Sequence, residues 1–171
     1  MNPPTDVVVV AENGAVTGGA EFVAITGALL LAARGVRVRF LAGSSPIDPR
    51  LAAAGVKVFA LDTGREARAR VWGARHVALA DAALAGLDRN GSVVHLHGGL
   101  GHLGPAVYAR LLDSGLPVVA TLHDYGLACP NSGFYLFPER EKCPLRPLSL
   151  PCVLKDCSKS GPKSKAALVL R

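Results

Sequence analysis

A chain of 171 residues can bury one substantial core and is short for a complete two-domain enzyme. Half of its residues are apolar and 19% are charged, a globular composition that excludes a disordered or low-complexity chain. The net charge of +6 is concentrated in Pro138 to Arg171, where Arg140, Lys142, Arg146, Lys155, Lys159, Lys163, Lys165 and Arg171 face only Glu139, Glu141 and Asp156. Few aromatics interleave with these bases, which argues against nucleic acid and leaves three readings: a solvated face, contact with anionic lipid headgroups, or an acidic substrate.

The chain opens on Met1-Asn2-Pro3-Pro4-Thr5-Asp6 with no basic region, and Val7 to Ala11 is too short for the apolar core of a leader. Asp6 to Ala11 is a continuous β-branched run, as expected of a strand covered on both faces in a parallel sheet. It leads through Glu12-Asn13-Gly14-Ala15-Val16-Thr17-Gly18-Gly19 into an apolar helix over Phe22 to Ala33. That helix is too short for the ~20 residues of a membrane span. Arg34-Gly35 closes it as a basic last turn followed by a glycine. Strand, glycine loop and helix together form the opening unit of a doubly wound fold.

Val36 to Leu41 alternates as a second strand, Pro49 to Ala54 fits a brief helix, and Val56 to Leu61 alternates as a third strand. Glu66 to Leu87 carries Trp72, His76, Leu79, Ala83 and Leu87 at spacings of three and four, which predicts an amphipathic helix with His76 packed in the core. Ser92 to His97 predicts a fourth strand, running into Gly98-Gly99. Pro105 to Leu112 predicts a helix, and Val118 to Leu122 a fifth, buried strand ending at His123-Asp124-Tyr125. No internal repeat is visible. The expected fold is α/β, a Rossmann-like doubly wound parallel sheet forming a single domain.

From Ala128 the texture changes. Six prolines and all four cysteines crowd the following stretch, which reads as a Cys/Pro-rich, basic insertion rather than another βαβ unit. The expected segmentation is a Rossmann-like domain over 1–128, the insertion over 129–162, and the start of a helix over 163–171 that lacks a closing cap and suggests a truncated or continuing chain.

Three groups of residues could carry chemistry. Gly18-Gly19 at the mouth of the first helix would let a diphosphate approach the backbone amides and positive dipole end, although a tight turn explains the glycines equally well. The spacing Gly14-x-x-x-Gly18-Gly19 does not match the dinucleotide fingerprint, and no Gly-Lys-Ser/Thr follows. His95 and His97 alternate along a strand and so share one face. A zinc pair there lacks a third ligand nearby in sequence, so His97, beside the glycines, is the candidate for the cleft, with His95 structural. Cys129, Cys143, Cys152 and Cys157 have thirteen, eight and four residues between them, not a pair of Cys-x-x-Cys knuckles. A structural zinc site, free buried thiols and redox pairing all stay open.

With these residues in view, the chain resembles the N-terminal domain of family 4 glycosyltransferases of the GT-B fold. The resemblance rests on the strand followed by Gly18-Gly19-Ala20-Glu21, on Ala33-Arg34-Gly35-Val36-Arg37-Val38, on Val94-His95-Leu96-His97-Gly98 and on Pro117 to Tyr125. It implies the acceptor-side half of a retaining enzyme, in which Gly18 and Gly19 reach the donor diphosphate and His123 orients the transferred sugar and stabilises an oxocarbenium-like transition state. His97, Asp124 and Tyr125 would line the acceptor cleft. The implied partners are a nucleotide-sugar and a saccharide or lipid-linked acceptor in cell-envelope or exopolysaccharide synthesis, with no cofactor required for transfer. The expected location is the cytoplasm, with the basic segment against the inner face of the membrane. The family's donor domain is absent from these residues, so the chain alone is expected to be inactive. A non-catalytic binding or regulatory module of the same fold is the alternative.

Overall fold

The computed structural model describes residues 3–60, 74–98 and 103–158. The chain divides after His123 into two compact units.

The first unit is built on a five-stranded parallel sheet of order β3-β2-β1-β4-β5, with β1 at Asp6–Ala11, β2 at Arg37–Ala42, β3 at Lys57–Ala60, β4 at Ser92–His97 and β5 at Val118–Thr121. Helices α1 (Gly19–Ala33), α2 (Pro49–Ala53), α3 (Ala74–Leu84) and α4 (Pro105–Leu112) alternate with the strands. This is the expected Rossmann-like α/β architecture.

Every residue of β1 is buried, and its side chains divide by parity. Val7, Val9 and Ala11 pack with Ala24, Ile25 and Ala28 of α1 and with Leu51 of α2. Val8 and Val10 pack on the other face with Ala80 and Ala83 of α3 and with Val107 and Leu111 of α4. Each fully buried valine contributes about 2 kcal/mol. A strand covered on both faces therefore reads as an unbroken apolar run.

The turns follow local chemistry. Gly35 adopts φ +82°, and the N–H groups of Gly35 and Val36 bond the carbonyls of Ala32 and Leu31, closing α1 as predicted. Asp48 caps α2 by accepting from the Arg50 N–H at 3.0 Å. His76 is buried within α3, as expected. The predicted beginning of that helix, with Trp72, lies outside the described residues, as do Gly99 and the segment from Lys159 to Arg171.

The fifth strand differs from its reading as a buried strand. Val119 is 52% exposed and neither Val118 nor Thr121 is fully buried. As the terminal strand, β5 has a neighbour on one side only, so its β-branched run marks an edge rather than an interior.

The second unit, from Asp124, carries more order than its proline content suggested. Tyr135–Leu136 (β6) and Glu141–Lys142 (β7) form a short antiparallel ladder. Leu150–Leu154 (α5) is capped by Ser149. Among the described residues no helix is long and apolar enough to cross a membrane.

Candidate functional site

In a sheet of this order the chain winds one way from β1 to β3 and the other way through β4 and β5, so a crevice opens between the carboxyl ends of β1 and β4. Two of the predicted residues meet at this edge. The parallel pairing of β4 with β5 sets His97 beside Thr121 and His95 beside Val119. His123 follows two residues after Thr121, and its Nε2 lies 3.1 Å from Nδ1 of His97. The two rings stack with centroids 5.4 Å apart. His95 and His97 share a face as expected, their ring centroids 4.1 Å apart, and His95 Nε2 is 2.8 Å from Thr121 Oγ1.

The third imidazole of this group, His123, lies in the bend just after β5, 26 residues on from His97. Among the described residues no three side chains are arranged to hold a metal ion.

His97 is only 3% exposed. Burial, then the neighbouring imidazoles of His95 and His123, lower its pKa to about 4, and burial also depresses that of His95. His97 is therefore neutral at physiological pH, and the tautomer decides whether its Nδ1 donates to Nε2 of His123 or accepts from it. That bond fixes the orientation of the half-buried His123.

Gly18 and Gly19 stand at the start of α1, Gly18 as N-cap without any side-chain capping bond. Gly18 has extended backbone, φ −164°, and a Cβ on Gly19 would meet nothing within 4 Å. Among the described residues neither glycine is demanded by a turn or by packing, the nearest atom to a Cβ on Gly18 being Glu21 Oε2 at 3.4 Å. They leave the amide end of a 15-residue helix open.

The preceding loop is held by residues that sequence reasoning did not single out. Asn13 donates to Glu21 Oε1 at 2.9 Å and to Thr17 Oγ1 at 3.2 Å, while its Oδ1 accepts from Ser44 Oγ at 2.7 Å. Gly14 passes so close to the Ser44–Asp48 segment that a Cβ would lie 2.2 Å from Ile47 Cδ1. Across the crevice, Gly98 adopts φ +93°, a conformation suited to glycine, and a Cβ there would stand 3.4 Å from Glu12 Cγ. Glu12 in turn bonds Tyr108, whose phenol is raised well above its ordinary range by burial and then by that carboxylate. A buried acid in the first turn of α1, Glu21, was the available signal for the Asn13 clamp.

Asp124 and Tyr125 fall in the second unit. The Asp124 carboxylate accepts from the Gly126 N–H at 2.7 Å, an Asx turn, and exposed Tyr125 packs edge-on against Phe134. Cys129, Cys143, Cys152 and Cys157 line one small cavity of that unit.

A family model described as a glycosyl transferase 4-like domain matches residues 18–150, well over half of the chain. No curated protein and no solved structure matches it.

Proposed function

We propose that this chain, which belongs to the glycosyl transferase 4-like domain family, is the acceptor-side half of a retaining glycosyltransferase that moves a sugar from a nucleotide-sugar to a saccharide or lipid-linked acceptor in cell-envelope or exopolysaccharide synthesis. The observation that carries this reading is the meeting of His97 and His123 at the carboxyl edge of a sheet whose first helix begins on two open glycines. In this reading the amides at Gly18 and Gly19 face the donor diphosphate, where backbone N–H groups and the helix dipole favour negative charge. His123 contacts the transferred sugar and stabilises positive charge developing at its anomeric carbon by orienting the ring and its substituents. His97 is a positioning residue that acts through His123.

The donor-side domain that the family pairs with this one is not among residues 1–171, so these residues alone turn over no nucleotide-sugar. Asp124 and Tyr125 serve the acceptor side. The exposed basic groups of the second unit, Arg140, Lys142 and Arg146 among the described residues, support a peripheral position at an anionic membrane surface.

The test is His123→Ala in the full-length enzyme, assayed with the nucleotide-sugar and acceptor it uses. Loss of one such electrostatic contact lowers kcat by about 10²–10³-fold while the melting temperature stays close to wild type. Unimpaired transfer by His123→Ala would remove the assigned role.

A further inference from the structure

The second unit is poor in the means that normally hold a small fold together. Of its described residues, 124–158, only Cys129, Leu136, Cys152, Cys157 and Ser158 are buried, so three of five interior positions are thiols. The secondary structure is two strands of two residues and one helix of five. Among the described residues the non-glycine positions at positive φ are Ser132, Phe134, Arg140 and Leu148, all in this unit, and for side chains as large as Phe134 and Leu148 that conformation is costly. Such backbone persists where the surroundings over-determine it, and segments this small generally need a covalent or metal cross-link.

Among the described residues of the unit, a cavity of about 10 Å³ is lined by all four cysteines. Two hydrogen bonds tie their segments together: the Cys143 N–H donates to the Phe134 carbonyl at 2.7 Å and Asn131 Nδ2 donates to the Cys157 carbonyl at 2.8 Å, while the Cys152 N–H donates to the hydroxyl of its own helix cap, Ser149, at 3.3 Å. No disulfide joins any of the four.

We propose that Cys129, Cys143, Cys152 and Cys157 bind one Zn²⁺ as a structural tetrathiolate centre. Among the described residues no three side chains yet stand in a metal-binding arrangement. Binding therefore draws the sulfurs inward from the cavity wall to the Zn–S distance of about 2.3 Å. Four thiols give up four protons to solvent and four S–Zn bonds form, with no change of oxidation state. The cavity is at the lower limit for a water and is lined by thiols and apolar atoms, which suits a thiophilic ion with no open coordination position. This site is independent of the sugar-transfer reading.

The experiment uses the full chain, purified in reductant without a metal-affinity step. Elemental mass spectrometry should find about one zinc per chain, lost together with the metal-stabilised melting transition on chelation and restored by added Zn²⁺. Replacement by Co²⁺ should produce thiolate-to-cobalt charge-transfer bands and tetrahedral d–d bands. Cys152→Ser and Cys157→Ser should each weaken zinc retention by at least about tenfold. The cobalt spectrum of the wild-type chain keeps the test decisive if either variant fails to fold. Zinc-free protein with four reactive thiols and no cobalt bands would overturn the proposal, as would disulfide pairing or bound iron in the freshly purified chain.

Discussion

Replacing His97 with asparagine keeps a hydrogen-bonding group near the position of Nδ1 and removes the titration, so it separates the two things His97 does. In the native state the pKa of His97 is about 4, against 6.5 for a free imidazole. A histidine with a depressed native pKa binds fewer protons folded than unfolded between those values, so stability is full above pH 6.5 and falls as pH drops toward 4. The shift corresponds to about 3 kcal/mol at most, with a slope near ~1.4 kcal/mol per pH unit in mid-window. His95, also depressed by burial, adds a contribution of the same sign. Asp6 and Asp48, whose carboxyls are lowered chiefly by hydrogen bonds to Arg37 and Arg50, act below this window, because their contribution is lost only as pH falls from 3.8 through their lower native values. Urea unfolding from pH 8 to pH 4 at fixed ionic strength should show the wild-type decline, and His97→Asn should show a shallower one, with the contribution of His95 retained. Superimposable curves for the two proteins would refute the buried, neutral His97.

Two glycines of the first loop should respond oppositely. Gly19→Ala adds a methyl group where nothing lies within 4 Å and replaces a poor helix former, so stability should hold or rise by up to about 1 kcal/mol. In the full-length enzyme the same change should raise the KM for the nucleotide-sugar about tenfold or more, and an unchanged KM would count against donor contact there. Gly14→Ala forces a Cβ against Ile47 and the carbonyls of Ser44 and Pro46, and thermal or urea unfolding should report a loss of about 1–3 kcal/mol. Full stability of Gly14→Ala would mean that the Ser44–Asp48 segment yields more readily than its hydrogen bonds to Gly14 indicate.

Most of the first unit was legible because its signals are local. The valine run of β1, the Arg34-Gly35 stop and the period of α4 each act within about a dozen residues. His95 and His97 could be placed on one face from alternation alone. Their third partner could not, since the bond from His97 to His123 spans 26 residues and depends on which strands become neighbours and in what register. The same holds for Asn13 with Ser44 and for Glu12 with Tyr108, contacts set by how loops meet over the sheet edge. The reading of Val118 to Leu122 as a buried strand failed for a related reason: β-branched residues favour any strand, and only the strand order shows that this one is an edge.

The second unit was opaque in another way. Its short ladder pairs Tyr135 with Lys142 and Leu136 with Glu141, too few residues for alternation to register, and α5 holds barely more than one turn. Proline content gave no positive signal for the conformations that occur, because among the described residues four adopt left-handed backbone without being glycine. What the sequence leaves hidden in such a segment is the approach of its four cysteines to one cavity, which carries no periodicity. Spacings of thirteen, eight and four intervening residues conceal that, because hydrogen bonds such as Asn131 to Cys157 close the loops back on one another. Convergence of all four thiols on one cavity is a property of the folded backbone, and it turns an open choice among zinc, free thiols and pairing into a question of metal content.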